Sequence, residues 1–358
     1  LHGGVRRDEH EQKDGTAVNV KASQENGSGS GGDVLTASGS RAGSAVRSFF
    51  ERQGLIVAFV VVVAFFSIAS DRFLSITNIM LVLRQVSILG TIAIGMTLVI
   101  VAGNFDLSVG SLASLTAVVV ISLHDVIGPI PAMIVTLLVG LASGAVAGIL
   151  VGKLRLNSLI ITLGFLAGLQ AITLIYTGGR YSRIVAPEET WFGFIGRGFV
   201  FGIPMPVIIL AILILAFSII LTRTVFGRHV ISVGGNPVAS RFSGIRDGNI
   251  IMLTFIISGG LTAVAGIMLG SRLMAAQNYL GQGYEFEVIA GVILGGTSLQ
   301  GGEGNIFKAF IGILIIGILR NGFLLLGLPY YFQWVAQWVI VVGVVWLDVA
   351  SKRGKLLA

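Results

Sequence analysis

About ten segments of this chain are apolar for long enough to reach across, or most of the way across, a lipid bilayer. They lie at 55–70, 85–102, 107–123, 130–152, 158–176, 205–222, 250–270, 286–300, 306–326 and 330–347. A helix needs roughly 20 such residues to cross the hydrocarbon, somewhat fewer if it is short or broken. The spacing therefore predicts an all-α polytopic membrane protein with about ten transmembrane helices. Two segments, 107–123 and 286–300, are short and interrupted by Gly and Ser. Composition agrees. Only 11% of residues are charged, against about a quarter in soluble domains, and the mean hydropathy is +0.91.

The net charge of +7 belongs with cytoplasmic loops that collect Lys and Arg, so lipid is the expected neighbour and nucleic acid is not. With the N-terminus cytoplasmic, the inside loops carry Lys153 and Arg155, then Arg223, Arg228, Arg241 and Arg246, and the C-terminal tail adds Lys352, Arg353 and Lys355. The long outside loop 177–204 is mixed, with Arg180, Arg183 and Arg197 against Glu188 and Glu189. An even number of spans with both termini cytoplasmic fits best, in a plasma membrane of the bacterial inner-membrane kind. The chain divides into a polar Gly/Ser-rich tail at 1–48 that reads as disordered, a membrane domain at 49–350 and a basic tail at 351–358. The first tail has no apolar run before a small-residue cleavage site, so it does not read as a secretory signal. With 0 cysteines, disulfides and thiolate metal sites are excluded.

Glycine is abundant within the apolar segments. Gly140, Gly144, Gly148 and Gly152, with Gly95, follow the small-xxx-small spacing that lets helix backbones approach closely. An AGIxxG pattern recurs at 147–152 and 265–270, a faint hint of an internal repeat. Polar residues within or beside the spans include Arg84, Asn157, Gln170, Gln277, Arg320, Asn321, Gln333 and Gln337. In lipid they must face protein or water, as helix-to-helix hydrogen bonds or as pathway lining. The run Asn104-Phe105-Asp106-Leu107-Ser108 breaks the pattern between two spans. Asp106 there either caps the following helix or belongs to a gate. Asn104, Asp106, Ser108, Asn157, Gln277 and Asn321 are the pathway or gate candidates.

The long inside loop, 223–249, contains 233-VGGNPVASRFSGIR-246. Asn236 is a good N-cap, Pro237 occupies the first helical position, and Gly244 suits a left-handed stop. Val238 and Phe242 share a face of the roughly two turns between them, while Ser240 and Arg241 point elsewhere. So short a helix is marginal alone. It is either an interfacial helix on the lipid headgroups or a transmission element docked on a partner.

Three blocks together, 227-GRHVISVGGNPVASRFSGIR-246, 102-AGNFDLSVGS-111 and 283-GYEFEVIAGVILGGTSLQGGEGN-305, resemble the permease subunits of ribose-type sugar ABC importers, in the same order and spacing. The likeness runs from about residue 50 to the C-terminus. It implies a type II-like importer permease for a small pentose or hexose, paired with a second permease copy. It also implies ATPase subunits on the cytoplasmic side and a sugar-binding protein outside. The 236–244 helix is then the coupling helix, with Gly234, Gly235, Asn236, Pro237, Arg241, Gly244 and Arg246 as the ATPase-coupling residues. Departures from the pattern are Glu303 in place of a Lys, Asn104-Phe105 in place of a Gly-Ile pair, and Arg320 where relatives tend to be neutral.

The chain has no GxxxxGK[ST] loop, so ATP and magnesium are expected in the partner ATPase rather than here. The Gly-rich run 295–304 lacks a phosphate-contacting Lys and reads as a tight break at the end of a helix. No HExxH or Cys/His cluster points to a metal or to catalysis. The alternative function is an ion-coupled secondary transporter of a small polar solute, with Asp106, Glu285 and Glu287 as its only carboxylates; a non-transport scaffold would give the capped helix no job.

Overall fold

Ser75 opens helix α2 (Ile76–Val101) by accepting the Asn78 N–H at 3.3 Å. The apolar pattern places this span from residue 85, so the helix starts well before it. The reason is that two of its early polar side chains find partners in protein: Asn78 pairs with Asn321, and Arg84 donates to the Arg197 carbonyl at 2.9 Å. Satisfied this way, polar groups do not end a membrane helix.

The computed structural model describes residues 54–329 and, beyond them, 331–335, 338, 339, 342, 343 and 346. The 1–48 and 351–358 tails lie outside the described residues, as do Gln337 and parts of the 330–347 segment. Helix α1 (Gly54–Ala69) precedes α2. The order continues with α3 (Val109–Ile127), α4 (Pro129–Gly148), α5 (Ser158–Thr177), α6 (Gly193–Arg197), α7 (Met205–Arg223), α8 (Val225–Gly235), α9 (Pro237–Phe242), α10 (Asp247–Leu273), α11 (Tyr284–Leu294) and α12 (Ile306–Leu325). Among the described residues, seven helices are long and apolar enough to cross a membrane: α2, α3, α4 with its extension, α5, α7, α10 and α12. The 286–300 segment is shorter than its apolar run suggests. Helix α11 stops at Leu294, because Gly295 packs on the Ala309 backbone and Gly296 turns the chain with φ +85°.

Helix α10 is the centre of the packing and lies against α2, α3 and α4. Gly140, Gly144, Gly148 and Gly152 all face it. A Cβ at Gly148 would sit 2.7 Å from the Met252 carbonyl oxygen, and one at Gly144 would overlap that of Phe255. The small-xxx-small stripe is thus a helix seam. Its four-residue spacing overshoots the 3.6-residue α turn. Helix α4 ends in a wider π turn, Ile149–Lys153, which keeps Gly152 against the Gly248 backbone.

At the far end from α8 and α9, the 177–204 loop is folded rather than open. Its Phe192 is fully buried against the His124 ring, with centroids 5.4 Å apart, and His124 Nε2 meets Thr190 Oγ1 at 2.9 Å. Strand β1 (Ser182–Arg183) pairs antiparallel with β4 (Ala275–Ala276), Ser182 opposite Ala276, and β2 (Phe199–Val200) pairs with β3 (Ile203–Pro204). The β1–β4 ladder fastens the loop against α3 and α10, and the β2–β3 ladder packs against α2 and α7.

Two helices begin halfway along the bundle. Residues 102–108 turn back from the end of α2 and climb to α3, and α11 follows a turn at 277–283. Their starts meet: Gly281 N–H donates to Ser114 Oγ at 2.9 Å, and a Cβ on Gly110 would lie 2.6 Å from the Gly281 carbonyl oxygen. Neighbouring Asp106 touches Ser258, eleven residues into α10. At 1.5 Å per residue that is ~17 Å from the end of that helix.

Candidate coupling surface and solute pathway

The short helix α9 is built as its sequence specifies. Asn236 Oδ1 accepts the Ala239 N–H at 2.9 Å, and Pro237 occupies the first turn. At the other end Gly244, φ +81°, donates to the Arg241 carbonyl at 2.9 Å, and Ile245 donates to that of Ser240 at 3.0 Å. This is the paired 6→1 and 5→2 closure that finishes a helix on a left-handed residue. Ser240 faces inward, its hydroxyl 2.8 Å from that of Ser232 on α8. What α9 turns outward is apolar: Val238 is 60% exposed and Phe242 89%. Arg241, also exposed, is tied back to the bundle. Its Nε donates to Asp247 Oδ2 at 2.6 Å, and Arg155 lies 3.7 Å from the other oxygen. Asp247, in the first turn of α10, also suits the positive end of that helix. Nothing in the sequence pointed to Asp247 as the partner of Arg241.

A junction of glycine backbones joins this surface to the interior. Gly302 donates to the Val101 carbonyl at 2.8 Å, and Gly234 presses on both groups, so closely that a Cβ there would overlap the Val101 oxygen. A Cβ on Gly301 would lie 2.8 Å from the Gly103 Cα. Three chain segments therefore meet without side chains between them: the end of α8, the end of α2, and the 295–304 run. Gly301 and Gly302 hold φ of +84° and +78°, which L side chains rarely adopt. The run is the tight, glycine-dependent break expected of it.

From the junction the chain passes into 102–108. Asp106 is 2% exposed and receives three hydrogen bonds. Its Oδ1 accepts the Ser108 N–H at 3.1 Å and the Ser108 hydroxyl at 2.5 Å, and its Oδ2 accepts the Ser258 hydroxyl at 3.2 Å. It does not cap α3 from the N-cap position, which Ser108 occupies without a side-chain cap bond. It holds the turn just before the helix and ties that turn to α10. Glu285, at the start of α11, is buried against Gly110, with Oε1 accepting the Gly283 N–H at 3.3 Å. One carboxylate thus stands at each of the two interior helix starts, where the positive ends of the peptide dipoles lie.

A family profile described as "branched-chain amino acid transport system / permease component" matches residues 78–345. The chain is 38% identical to the ribose import permease protein of Haemophilus influenzae over 302 residues, 84% of this chain and 94% of that one. With the ribose import permease protein of Escherichia coli K12 the identity is 38% over 304 residues, 84% and 95% of the two chains. The chain belongs to the ribose-type ABC importer permeases. It is also 32% identical to the L-arabinose transport system permease protein of E. coli K12 over 335 residues, 90% of this chain and 98% of that one. No solved structure matches it. This membership makes it a multi-pass transport subunit and sets aside the ion-coupled alternative.

The residues expected to line the permease pathway are scattered by the structure. Asn157 is the exposed N-cap of α5, accepting the Ile160 N–H at 3.2 Å. Asn321, 3% exposed, exchanges two amide hydrogen bonds with Asn78, at 2.8 and 2.9 Å, and joins α12 to α2. Gln277 lies exposed in the turn before α11, and Asn104 closes its own turn on the Ala102 carbonyl at 3.1 Å. Only Asp106 and Ser108 come together, at the interior break. Arg246 is the residue before α10 and makes no side-chain cap there. Gln170 donates to the Asn278 carbonyl at 2.9 Å, again a tie between segments. The side chains that do surround an open cavity, Tyr279, Gln282, Tyr284, Glu287 and Arg320, were mostly passed over in the sequence. Their signal was a cluster of aromatic, amide and acidic residues just before and within a short apolar run.

Proposed function

We propose that this chain is the membrane-spanning subunit of an ATP-driven importer for a small sugar, a pentose or hexose of the ribose kind. An extracytoplasmic binding protein delivers the sugar, and separate ATPase subunits on the cytoplasmic side bind ATP and magnesium. A second permease copy completes the passage. The ribose and arabinose named for its relatives support the substrate class. The permease sits in the bacterial inner membrane with both termini cytoplasmic, so that the 223–249 loop faces the ATPases.

The observation that carries the mechanism is the outward, apolar Val238–Phe242 face of α9, mounted on a junction with no compressible side chains. An exposed apolar face beside water is stable when a partner covers it. When the ATPases close on ATP, α9 moves with them. The Gly234–Gly302–Val101 contact passes that movement to the 102–108 break, and the interior helix starts open toward one side or the other. The solute path needs little tight affinity of its own, since the binding protein captures the sugar first. Gly235, Asn236, Pro237 and Gly244 set the position of α9, and Arg241 locks it to Asp247.

The test is reconstitution in vesicles with its partner ATPase and binding protein. ATP-dependent accumulation of ribose, xylose or arabinose supports the reading, and accumulation driven by an ion gradient without ATP contradicts it. Reporter fusions after Arg246 and near Glu189 should lie on opposite faces, the first cytoplasmic. Both on one face would refute the topology.

A further inference from the structure

A cavity of about 280 Å³ opens where α11 begins, lined by Tyr279, Gln282, Tyr284, Glu287, Arg320 and Trp334 among others. It adjoins a second cavity of about 580 Å³ that shares Tyr279, Gln282 and Trp334, so it is part of a continuous space rather than a sealed void. Ligand pockets run from about 300 Å³ upward, which suits this one to a small solute. Its charged edge is the Glu287–Arg320 pair, one residue from α11 and one from α12, with Arg320 Nη1 at 3.0 and 3.3 Å from the two carboxylate oxygens. An ion pair carried by membrane-level helices costs desolvation energy, so stability alone is a weak reason for it and function is the default reading.

We propose that this cavity is the solute-selecting station of the permease, and that Glu287 and Arg320 together recognise the hydroxyl groups of a neutral, polyhydroxylated ring. The inference rests on the sugar reading above and adds the residues that discriminate. The carboxylate of Glu287 accepts hydroxyl hydrogens. Only one nitrogen of the Arg320 fork is engaged by Glu287, which leaves further N–H donors for hydroxyl oxygens. Tyr279, Tyr284 and Trp334 offer aromatic surface to the C–H face of a sugar ring. The station sits at the start of α11, next to the crossing of Gly110 and Gly281. Movement of the helix starts there changes the mouth of the cavity.

The experiment compares saturated uptake rates of ribose and 2-deoxyribose in cells carrying the complete importer, so that binding-protein affinity drops out. The double variant E287Q/R320Q removes both charges at once and leaves neither stranded; its membrane abundance is matched to that of the natural protein. The ribose preference of the natural protein should fall about ten-fold or more, the worth of one hydrogen bond to a charged group. Arg320→Lys, which keeps the ion pair but not the fork, is read in the same way, as a second route should the double variant not accumulate. An unchanged preference in either variant, whatever the absolute rate, makes the pair merely structural and overturns the proposal. A natural protein that carries no sugar at all overturns the sugar reading itself, a distinct result.

Discussion

Placing one methyl group at Gly234 tests the junction, because its effects oppose each other and can be weighed. Alanine is favoured over glycine in a helix by about 1 kcal/mol, and Gly234 lies in the last turn of α8, so propensity alone predicts stabilisation. Against this, the new Cβ would overlap the Val101 carbonyl oxygen and approach the Gly302 nitrogen to 2.7 Å. Both are backbone atoms that cannot rotate away. Overpacking of this kind costs about 1–3 kcal/mol. The methyl also enters the 2.8 Å Gly302–Val101 hydrogen bond, whose loss costs about 1 kcal/mol more. The net expectation is a destabilisation of about 1–3 kcal/mol, with uptake lost more steeply than protein. Gly235 is the control. A Cβ there meets only the Gly302 Cα at 3.7 Å, an ordinary contact, so Gly235→Ala should be neutral or slightly stabilising. Thermal unfolding of both variants in detergent, with uptake at equal membrane abundance, decides it. If Gly234→Ala unfolds at the same temperature as Gly235→Ala and transports normally, the junction is not close-packed and the proposed route of force through it is wrong.

Two further substitutions separate support from motion. In Asp106→Asn the remaining oxygen keeps the Ser108 bonds and the new amide can donate to the Ser258 hydroxyl, so the loss should stay near 1 kcal/mol with most uptake retained; Asp106→Leu strands the Ser108 N–H and should lose stability and uptake together. A fully stable Asp106→Asn protein without transport would instead make the charge itself part of the gate. Arg241→Gln should cost under about 1 kcal/mol, because the Arg241 side chain is 43% exposed, whereas Arg241→Glu sets a second carboxylate beside Asp247 and should loosen the loop itself. Limited proteolysis of the 223–249 loop reads this directly, and equal cleavage of Arg241→Glu and the natural protein would contradict it.

The capped helix was legible because every signal for it is local. Asn236, Pro237 and Gly244 act within a few residues, through caps and a left-handed stop, and all three take the expected geometry. The apolar runs mapped onto helices for a similar reason, since length and hydropathy are properties of one segment. The glycine stripe of α4 was readable as a seam, though not its partner. Interactions across the chain left no such trace. Asn321 and Asn78 stand 243 residues apart, and nothing in either neighbourhood shows that the two amides satisfy one another. Arg241 and Asp247 are only six residues apart, yet their pairing depends on how the turn after α9 leads into α10, which local signals do not show. The halfway starts of α3 and α11 were seen only as short, Gly-interrupted runs. Their crossing at Gly110 and Gly281 depends on depth in the bundle, which a single sequence does not encode.

Because the chain has 0 cysteines, Phe242→Cys creates a unique thiol at the outward tip of α9. In membranes holding the assembled importer, a short thiol-reactive crosslinker from this position should capture the ATPase subunit. The yield should change when ATP is added, and the crosslinked complex should no longer transport. A Phe242→Cys importer that transports normally, yet gives no crosslink to the ATPase with or without ATP, would contradict the claim that α9 is where the ATPase pushes.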